Sequence, residues 1–496
     1  MIAAGEFALP VGPPNSPDLA RQMATLPAFC RVQARATPTS DSKIGIELWL
    51  PLDHWSGRFL GVGNGGSAGS IAYGGGMVEG LKRGFAVANT DMGTSPNIAE
   101  DTDFPARWTD FGHRATHEMT RVSKVLTREF YKVKAFRSYF EGCSTGGQQA
   151  LSEVQRYPED YDGVLAGAPG FNRTHSTASL VWNYQAINAT PNSQLSVAQW
   201  ATVTRAIIAT CAGKDGGAPG DRFLTDPGRC RFDPATLARC GVETDTDLCF
   251  TPPQITALIR VYAGAVNSKT GERIYPGLPP GSESLPLGPI RMNEPNILSR
   301  LFMMRWGMGA TFPVMTFDFD HDVDRLDARL SSTLNANDSD LNEFARHGGK
   351  LILYNGLADP AVPYPDTVGY YERVLATVGE AQGFAFARLF LVPGMGHCMG
   401  GPGPSEFGQP SSPTVPTERE ADALMTLVAW TEGAAPPDHL LARSPGGPGV
   451  PPQERPVCAY PAFPEFLGGD PAKRSSFACR AHPRSADQFP SPRYTN

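Results

Sequence analysis

Short apolar runs alternate with amphipathic stretches through the first third of the chain, and the same rhythm returns near residue 350. Residues 44–50 (Ile-Gly-Ile-Glu-Leu-Trp-Leu) alternate partly as a strand does. Phe59-Leu60-Gly61-Val62 is a short apolar run that ends in Gly63-Asn64-Gly65-Gly66, and Phe85-Ala86-Val87-Ala88 reads as a further strand. Residues 112–131 carry a helical period, with Met119, Val122, Val125 and Leu126 on one face. Ser138-Tyr139-Phe140 then leads through a tight turn at Ser144 into a helix running through Gln155, and Val164-Leu165-Ala166-Gly167 is the next buried strand. Alternation of this kind predicts an α/β fold with a mostly parallel sheet.

The rhythm breaks near residue 173. From there to about 340 the chain reads as irregular and holds most of the Pro-rich and Cys-containing turns; residues 276–290 read as loop. Strands return at Lys350–Tyr354 and Ala387–Val392, and Ala421, Leu424, Met425, Leu427 and Val428 predict a helix near 419–432. The organisation expected is one α/β domain built from residues 1–172 and 341–496, interrupted by an insertion at 173–340 of roughly 170 residues, a usual domain size. No internal repeat is visible.

The chain of 496 residues is long for one simple domain, which suits an insertion. Its 53 Gly and 46 Pro mark many turns, while recurring apolar segments argue against disorder. The net charge is −7 with both signs scattered, so nucleic acid or an anionic membrane surface is not an expected partner. No apolar run approaches membrane-spanning length. Residues 1–6 lack the basic and apolar regions of a signal peptide. Nine cysteines leave at least one unpaired if the others form disulfides, and none sits in a CxxC pair. The close pairs Cys211/Cys230 and Cys240/Cys249 in a turn-rich stretch favour disulfides and an oxidising compartment.

Gly142-Cys143-Ser144-Thr145-Gly146 matches G-x-S-x-G, the elbow that lifts a nucleophilic serine above an α/β-hydrolase sheet. Small flanking residues let strand and helix pack closely, and the helix start offers free N–H groups to a developing oxyanion. Taken alone the pentapeptide also fits an ordinary glycine-rich turn; the strand before it and the helix after it favour catalysis. A nucleophilic serine needs a base and the base an orienting carboxylate, in this fold in the order Ser, Asp or Glu, His. Asp359 follows the strand at 351–354 and His397 the strand at 387–392. His113, His117, His175, His321 and His347 are the alternative bases; His113 and His117 have the spacing of a metal pair or of a plain helix face, and precede Ser144. Cys143 and Cys398 adjoin the proposed nucleophile and base, so a Ser144–His397 hydrogen bond would bring them within disulfide range.

With these residues the sequence resembles the tannase/feruloyl esterase family. Gly142 to Gly147, Gln155-Arg156-Tyr157-Pro158-Glu159-Asp160-Tyr161-Asp162-Gly163, Tyr354 to Asp359 and Gly394-Met395-Gly396-His397-Cys398 match its elbow and its Cys-Ser, Asp, His-Cys pattern. Trp55 to Phe59 with Gly63 to Gly66 is similar to its N-terminal strand and oxyanion loop, and the likeness runs over about residues 28–480. The resemblance implies an α/β-hydrolase fold with a large inserted lid domain, secreted or periplasmic, that cleaves esters of aromatic acids such as gallic or ferulic acid. A mono-ester hydrolase of polyester breakdown (terephthalate-type) belongs to the same family. It implies oxyanion donors at Thr145 and at Gly65 or Gly66, the further disulfides Cys211–Cys230, Cys240–Cys249 and Cys458–Cys479, and a free Cys30. No cofactor is implied for the chemistry. The family's lid carries a calcium loop, for which Asp215, Asp221 and Phe223 are the candidates here, with one acidic position lost to Ala212 or Gly213; a metal-free polar loop is the alternative. A small aromatic ester is the expected partner. Trp306, Phe312 and Phe317 are candidates to stack on it, or else core residues, and Arg300 and Arg305 are candidates to face the acyl group. The rival readings are a lipase or peptidase on the same fold, and a catalytically inactive binding protein.

Overall fold

The computed structural model describes residues 1–8, 17–241, 247–289, 302–410, 412, 415–447, 451–483 and 488–495. Eight strands form the main sheet: β1 (Phe29–Ala36), β2 (Ile44–Pro51), β3 (Arg58–Val62), β4 (Ala86–Thr90), β5 (Arg137–Cys143), β6 (Gly163–Gly167), β7 (Lys350–Gly356) and β8 (Ala387–Val392). Their order is β1-β2-β4-β3-β5-β6-β7-β8. β1 and β2 are antiparallel, as are β2 and β4, and every pairing from β4 to β8 is parallel.

The continuous apolar runs of the sequence are explained by a sheet buried on both faces. Phe59, Phe140, Val164, Leu351 and Leu389 enter one hydrophobic core. Their neighbours Leu60, Tyr139, Leu165, Ile352 and Phe390 enter the other. That is the period of two expected of a strand, with both faces apolar. The expected helices are Ala115–Tyr131, Thr145–Arg156 and Ala423–Thr431. Edge strand β1 and two short C-terminal ladders (439–444 with 453–458, 462–466 with 477–481) were not foreseen.

Residues 173–340 add no described strand to this sheet. They are not irregular, as the turn-rich sequence suggested: Arg173–Ile187, Val197–Cys211, Pro252–Ala263 and Asp322–Leu334 are helices. Two of them start at capping boxes, Ser196 with Gln199 and Thr251 with Gln254, which satisfy N–H groups that have no acceptor within the helix. The apolar faces of Val197–Cys211 and Pro252–Ala263, with Trp200, Val203, Ile207, Ile255, Leu258 and Val261, meet in a core separate from those of the sheet, whereas Leu326, Leu330 and Leu334 of Asp322–Leu334 enter the core on one face of the sheet. Residues 276–288 are loop and turns, as expected, and Ile290 lies outside the described residues.

Candidate active site

The backbone of the elbow is set by close approaches that only glycine permits. A Cβ on Gly142 would lie 2.5 Å from the Gly146 backbone, and one on Gly147 would lie 2.4 Å from the Gly167 carbonyl oxygen and 2.7 Å from Pro169 Cα. Strand β5 and the Thr145–Arg156 helix therefore meet at Ser144 without side chains between them. Ser144 itself has φ 64° and ψ −116°, a strained conformation that holds its hydroxyl at the sheet's C-terminal edge.

The loops after β7 and β8 bring two further side chains to this point. His397 Nδ1 lies 2.8 Å from Asp359 Oδ2, and its Nε2 lies 2.8 Å from Ser144 Oγ. The carboxylate can only accept, so Nδ1–H donates to it and Nε2 is left to accept the Ser144 hydroxyl proton. Asp359 is wholly buried, and its Oδ1 accepts the Ala361 and Val362 N–H groups at 2.8 and 3.0 Å. The carboxylate is thus fixed before it touches the imidazole. The other histidines have different partners: His113 meets Tyr157 Oη, His117 meets Asp160, His175 meets Asp327, His321 meets Lys269 and His347 meets Glu159.

Cys143 and Cys398 are joined, with Cα atoms 5.9 Å apart. Cys211–Cys230, Cys240–Cys249 and Cys458–Cys479 are the other disulfides, and Cys30 is free.

The Gly63–Gly66 loop after β3 passes beside the elbow; a Cβ on Gly63 would lie 2.5 Å from Gly146 Cα. Asn64 anchors it. Its N–H donates to Gln149 Oε1 at 2.7 Å and its side-chain amide to the Thr90 carbonyl at 2.7 Å. Gly65 and Gly66 are exposed. Thr145 Oγ1 donates to the Gly66 carbonyl at 2.7 Å, so the three residues assigned to an oxyanion pocket are neighbours. Sequence reasoning missed Arg173, whose Nη2 donates to Thr145 Oγ1 at 2.8 Å and to Gln148 Oε1 at 3.1 Å. Its position just past the C-terminal end of β6 was the available signal, since that edge carries the sites of α/β sheets. Burial lowers its pKa to about 10, which leaves it a cation at neutral pH. Glu141, three residues before Ser144, is pushed up to about 7 by burial.

The donors of the candidate calcium loop do not fit the ion. Asp215 Oδ1 accepts the Gly217 N–H, and Oδ2 accepts those of Thr225 and Asp226. Asp221 Oδ2 accepts the Ala218 N–H, while Oδ1 meets the buried Arg455 guanidinium at 3.0 Å. Calcium takes six to eight oxygens. Two carboxylates already committed to N–H donors, one of them neutralised by an arginine, fall short. Phe223 is buried, with the Arg455 guanidinium 5.5 Å from its ring.

The aromatic candidates are core residues. Trp306 is fully buried against Trp108, Phe111 and Phe302, and Phe317 packs on Phe312 and Phe319. Arg305 lies on the helix Phe302–Met308, and Arg300 lies outside the described residues.

A profile of the family described as tannase and feruloyl esterase matches residues 30–300 and 302–480. An uncharacterised esterase of Xanthomonas campestris is 34% identical, covering 98% of this chain and 88% of its own. A mono(2-hydroxyethyl) terephthalate hydrolase of Piscinibacter sakaiensis is 33% identical over 93% of this chain and 86% of its own. The crystal structure of feruloyl esterase B from Aspergillus oryzae superposes with a TM-score of 0.85 at 28% identity, covering 97% of this chain and 95% of that one. The chain shares its α/β-hydrolase architecture with that crystal structure. On this match across nearly its whole length, the chain belongs to the tannase and feruloyl esterase family of carboxylic ester hydrolases.

Proposed function

We propose that the protein hydrolyses esters of aromatic acids through Ser144, His397 and Asp359. The observation that carries this is the pair of 2.8 Å contacts that His397 makes, one to Ser144 Oγ and one to Asp359 Oδ2. His397 Nε2 takes the Ser144 proton as Oγ attacks the ester carbonyl, and returns it to the departing alcohol. Water, activated by the same imidazole, then releases the acid from the acyl-enzyme. Asp359 holds the tautomer and stabilises the imidazolium. The N–H of Thr145, with that of Gly65 or Gly66, receives the oxyanion. No cofactor enters these steps. Residues 173–340 act as a lid over the site, and the loop at Asp215 and Asp221 is held by backbone N–H groups and Arg455 without calcium.

Four disulfides support an oxidising setting, secreted or periplasmic. No helix among the described residues is long and apolar enough to cross a membrane.

Phenolic-acid esters are the preferred substrate class, on the likeness to feruloyl esterases. A terephthalate mono-ester is the second reading, favoured by the 33% identity to the Piscinibacter sakaiensis enzyme. The test is turnover of methyl gallate, methyl ferulate, mono(2-hydroxyethyl) terephthalate, a long-chain triglyceride and a peptide amide by the wild type and by Ser144→Ala. We expect turnover of aromatic esters, abolished in the variant. Full activity in Ser144→Ala overturns the mechanism, and preference for the triglyceride or amide overturns the substrate class. Failure of a fluorophosphonate probe to label the wild type would mark an inactive binding protein.

A further inference from the structure

Arg173 opens the first helix of the inserted segment and is nine-tenths buried. Burying a guanidinium is costly unless a carboxylate neutralises it. No described carboxylate does so, and its Nη2 donates to Thr145 Oγ1 and Gln148 Oε1. The Phe111 ring lies 5.5 Å from the guanidinium carbon. A cation kept at this cost, beside the residue that follows the nucleophile, calls for a functional account.

The hydrogen-bond chain supplies one. Arg173 can only donate, so Thr145 Oγ1 accepts from it, and the Thr145 hydroxyl proton is committed to the Gly66 carbonyl 2.7 Å away. Each bond polarises the next. The chain joins the two segments to which the proposed mechanism assigns the oxyanion donors: the start of the elbow helix and the Gly65–Gly66 turn. That turn needs a tether. Both glycines are exposed, and a Cβ on either would meet nothing within 4 Å. Asn64 anchors the loop only ahead of the two glycines, and past them a 3.2 Å hydrogen bond runs from the Ala68 N–H to the Gly65 carbonyl.

We propose that Arg173 is a positioning residue for the oxyanion pocket: acting through Thr145 Oγ1, it clamps the Gly66 turn to the nucleophile elbow and adds an unneutralised positive charge behind the developing oxyanion. This rests on the ester-hydrolase reading of Ser144. Arg173 touches no reacting atom, so its effect falls on the transition state and not on ground-state binding.

The experiment compares Arg173→Met, Thr145→Val, Thr145→Ser and the double variant Arg173→Met/Thr145→Val with the wild type. The readouts are kcat and KM on methyl ferulate, affinity for an arylboronate that forms a tetrahedral anion on serine, and thermal unfolding. We expect Arg173→Met and Thr145→Val each to lower kcat about tenfold or more with KM within twofold, below the loss of a direct oxyanion donor. Boronate affinity should fall in parallel. The double variant should be no worse than the weaker single by more than threefold, because both break one chain. Thr145→Ser, which keeps the hydroxyl, should recover most of what Thr145→Val loses. Wild-type kcat in Thr145→Val overturns the proposal, and so does a loss confined to KM, or losses that multiply in the double variant. If Arg173→Met does not fold, the two Thr145 variants decide alone. Turnover by Ser144→Ala would instead show that the underlying reading is wrong, whatever Arg173 does.

Discussion

Cys143 and Cys398 are joined by a disulfide, and the residues beside them, Ser144 and His397, meet at 2.8 Å. The bond spans 255 residues of sequence yet ties together the two loops that carry the proposed nucleophile and base. A link that closes so long a loop restricts the unfolded chain by about 5 kcal/mol in the entropic account, although measured gains are commonly smaller. Its position predicts a second effect, on the distance between Oγ and Nε2.

The double variant Cys143→Ala/Cys398→Ala separates these effects. We expect stability to fall by about 3 kcal/mol. We also expect kcat to fall about tenfold at temperatures where circular dichroism shows the variant fully folded, because small displacements of reacting groups are costly. Wild-type kcat in the folded double variant would leave the disulfide a purely structural link.

Gly147 offers a test of the elbow in which two effects oppose. Alanine is favoured over glycine in a helix by about 1 kcal/mol. Here its Cβ would lie 2.4 Å from the Gly167 carbonyl oxygen, a backbone atom that cannot swing aside. The clash wins: Gly147→Ala is expected to destabilise by about 2 kcal/mol, as overpacking does, and to reduce kcat as the helix start moves. Urea unfolding and steady-state kinetics check both; a stabilised, fully active variant would show that the backbone contact is slack.

Much of this site was legible because each part is local. Ser144, Asp359 and His397 each sit in a short loop at the end of an apolar run, and each run is a strand of the sheet. Cys143 and Cys398 were legible through their neighbours, whereas Cys458–Cys479 and the free Cys30 came only with the family resemblance. The helices Val197–Cys211 and Pro252–Ala263 were not legible, because their apolar positions are answered by one another: Trp200 and Leu258 share a core that no single segment reveals. Arg173 was missed for the same reason. In Asn172-Arg173-Thr174 it reads as a surface residue, and its role depends on Thr145, twenty-eight positions earlier, and on the Gly66 turn beyond. For Trp306 the two readings, ligand platform or core residue, are separated only by the fold, which buries it fully against Trp108 and Phe111.

The Asp221–Arg455 pair leads to a prediction about metal. With Arg455 neutralising the carboxylate, chelation by EDTA should leave the unfolding temperature and kcat unchanged, and added calcium should shift neither. Arg455→Met should destabilise by about 3 kcal/mol, because it leaves Asp221 buried without its counter-ion. A chelator that lowers the unfolding temperature by several degrees, reversed by calcium, would overturn the metal-free account of this loop.

Glu141 gives stability a pH dependence whose sign follows from its burial. Its pKa rises from an ordinary 4.5 to about 7 in the folded protein, mainly through desolvation. Arg83 opposes the rise, and Asp422 and Glu79 add to it. The folded state therefore holds the Glu141 proton more tightly than the unfolded chain does. Its contribution is fully present below pH 4.5, declines as pH rises towards 7, and is level above that, a total of about 3 kcal/mol. Glu141→Gln removes this loss, so the variant should gain on the wild type across that window and keep a constant margin at higher pH. His113 acts in a separate direction. Burial lowers its pKa from 6.5 to about 4, so its contribution is present above 6.5 and lost as pH falls towards 4. Urea unfolding of the wild type and Glu141→Gln at pH 5, 6, 7 and 8 isolates the carboxyl, since His113 is common to both proteins. A margin that does not change with pH would mean that Glu141 titrates alike in the folded and unfolded chains.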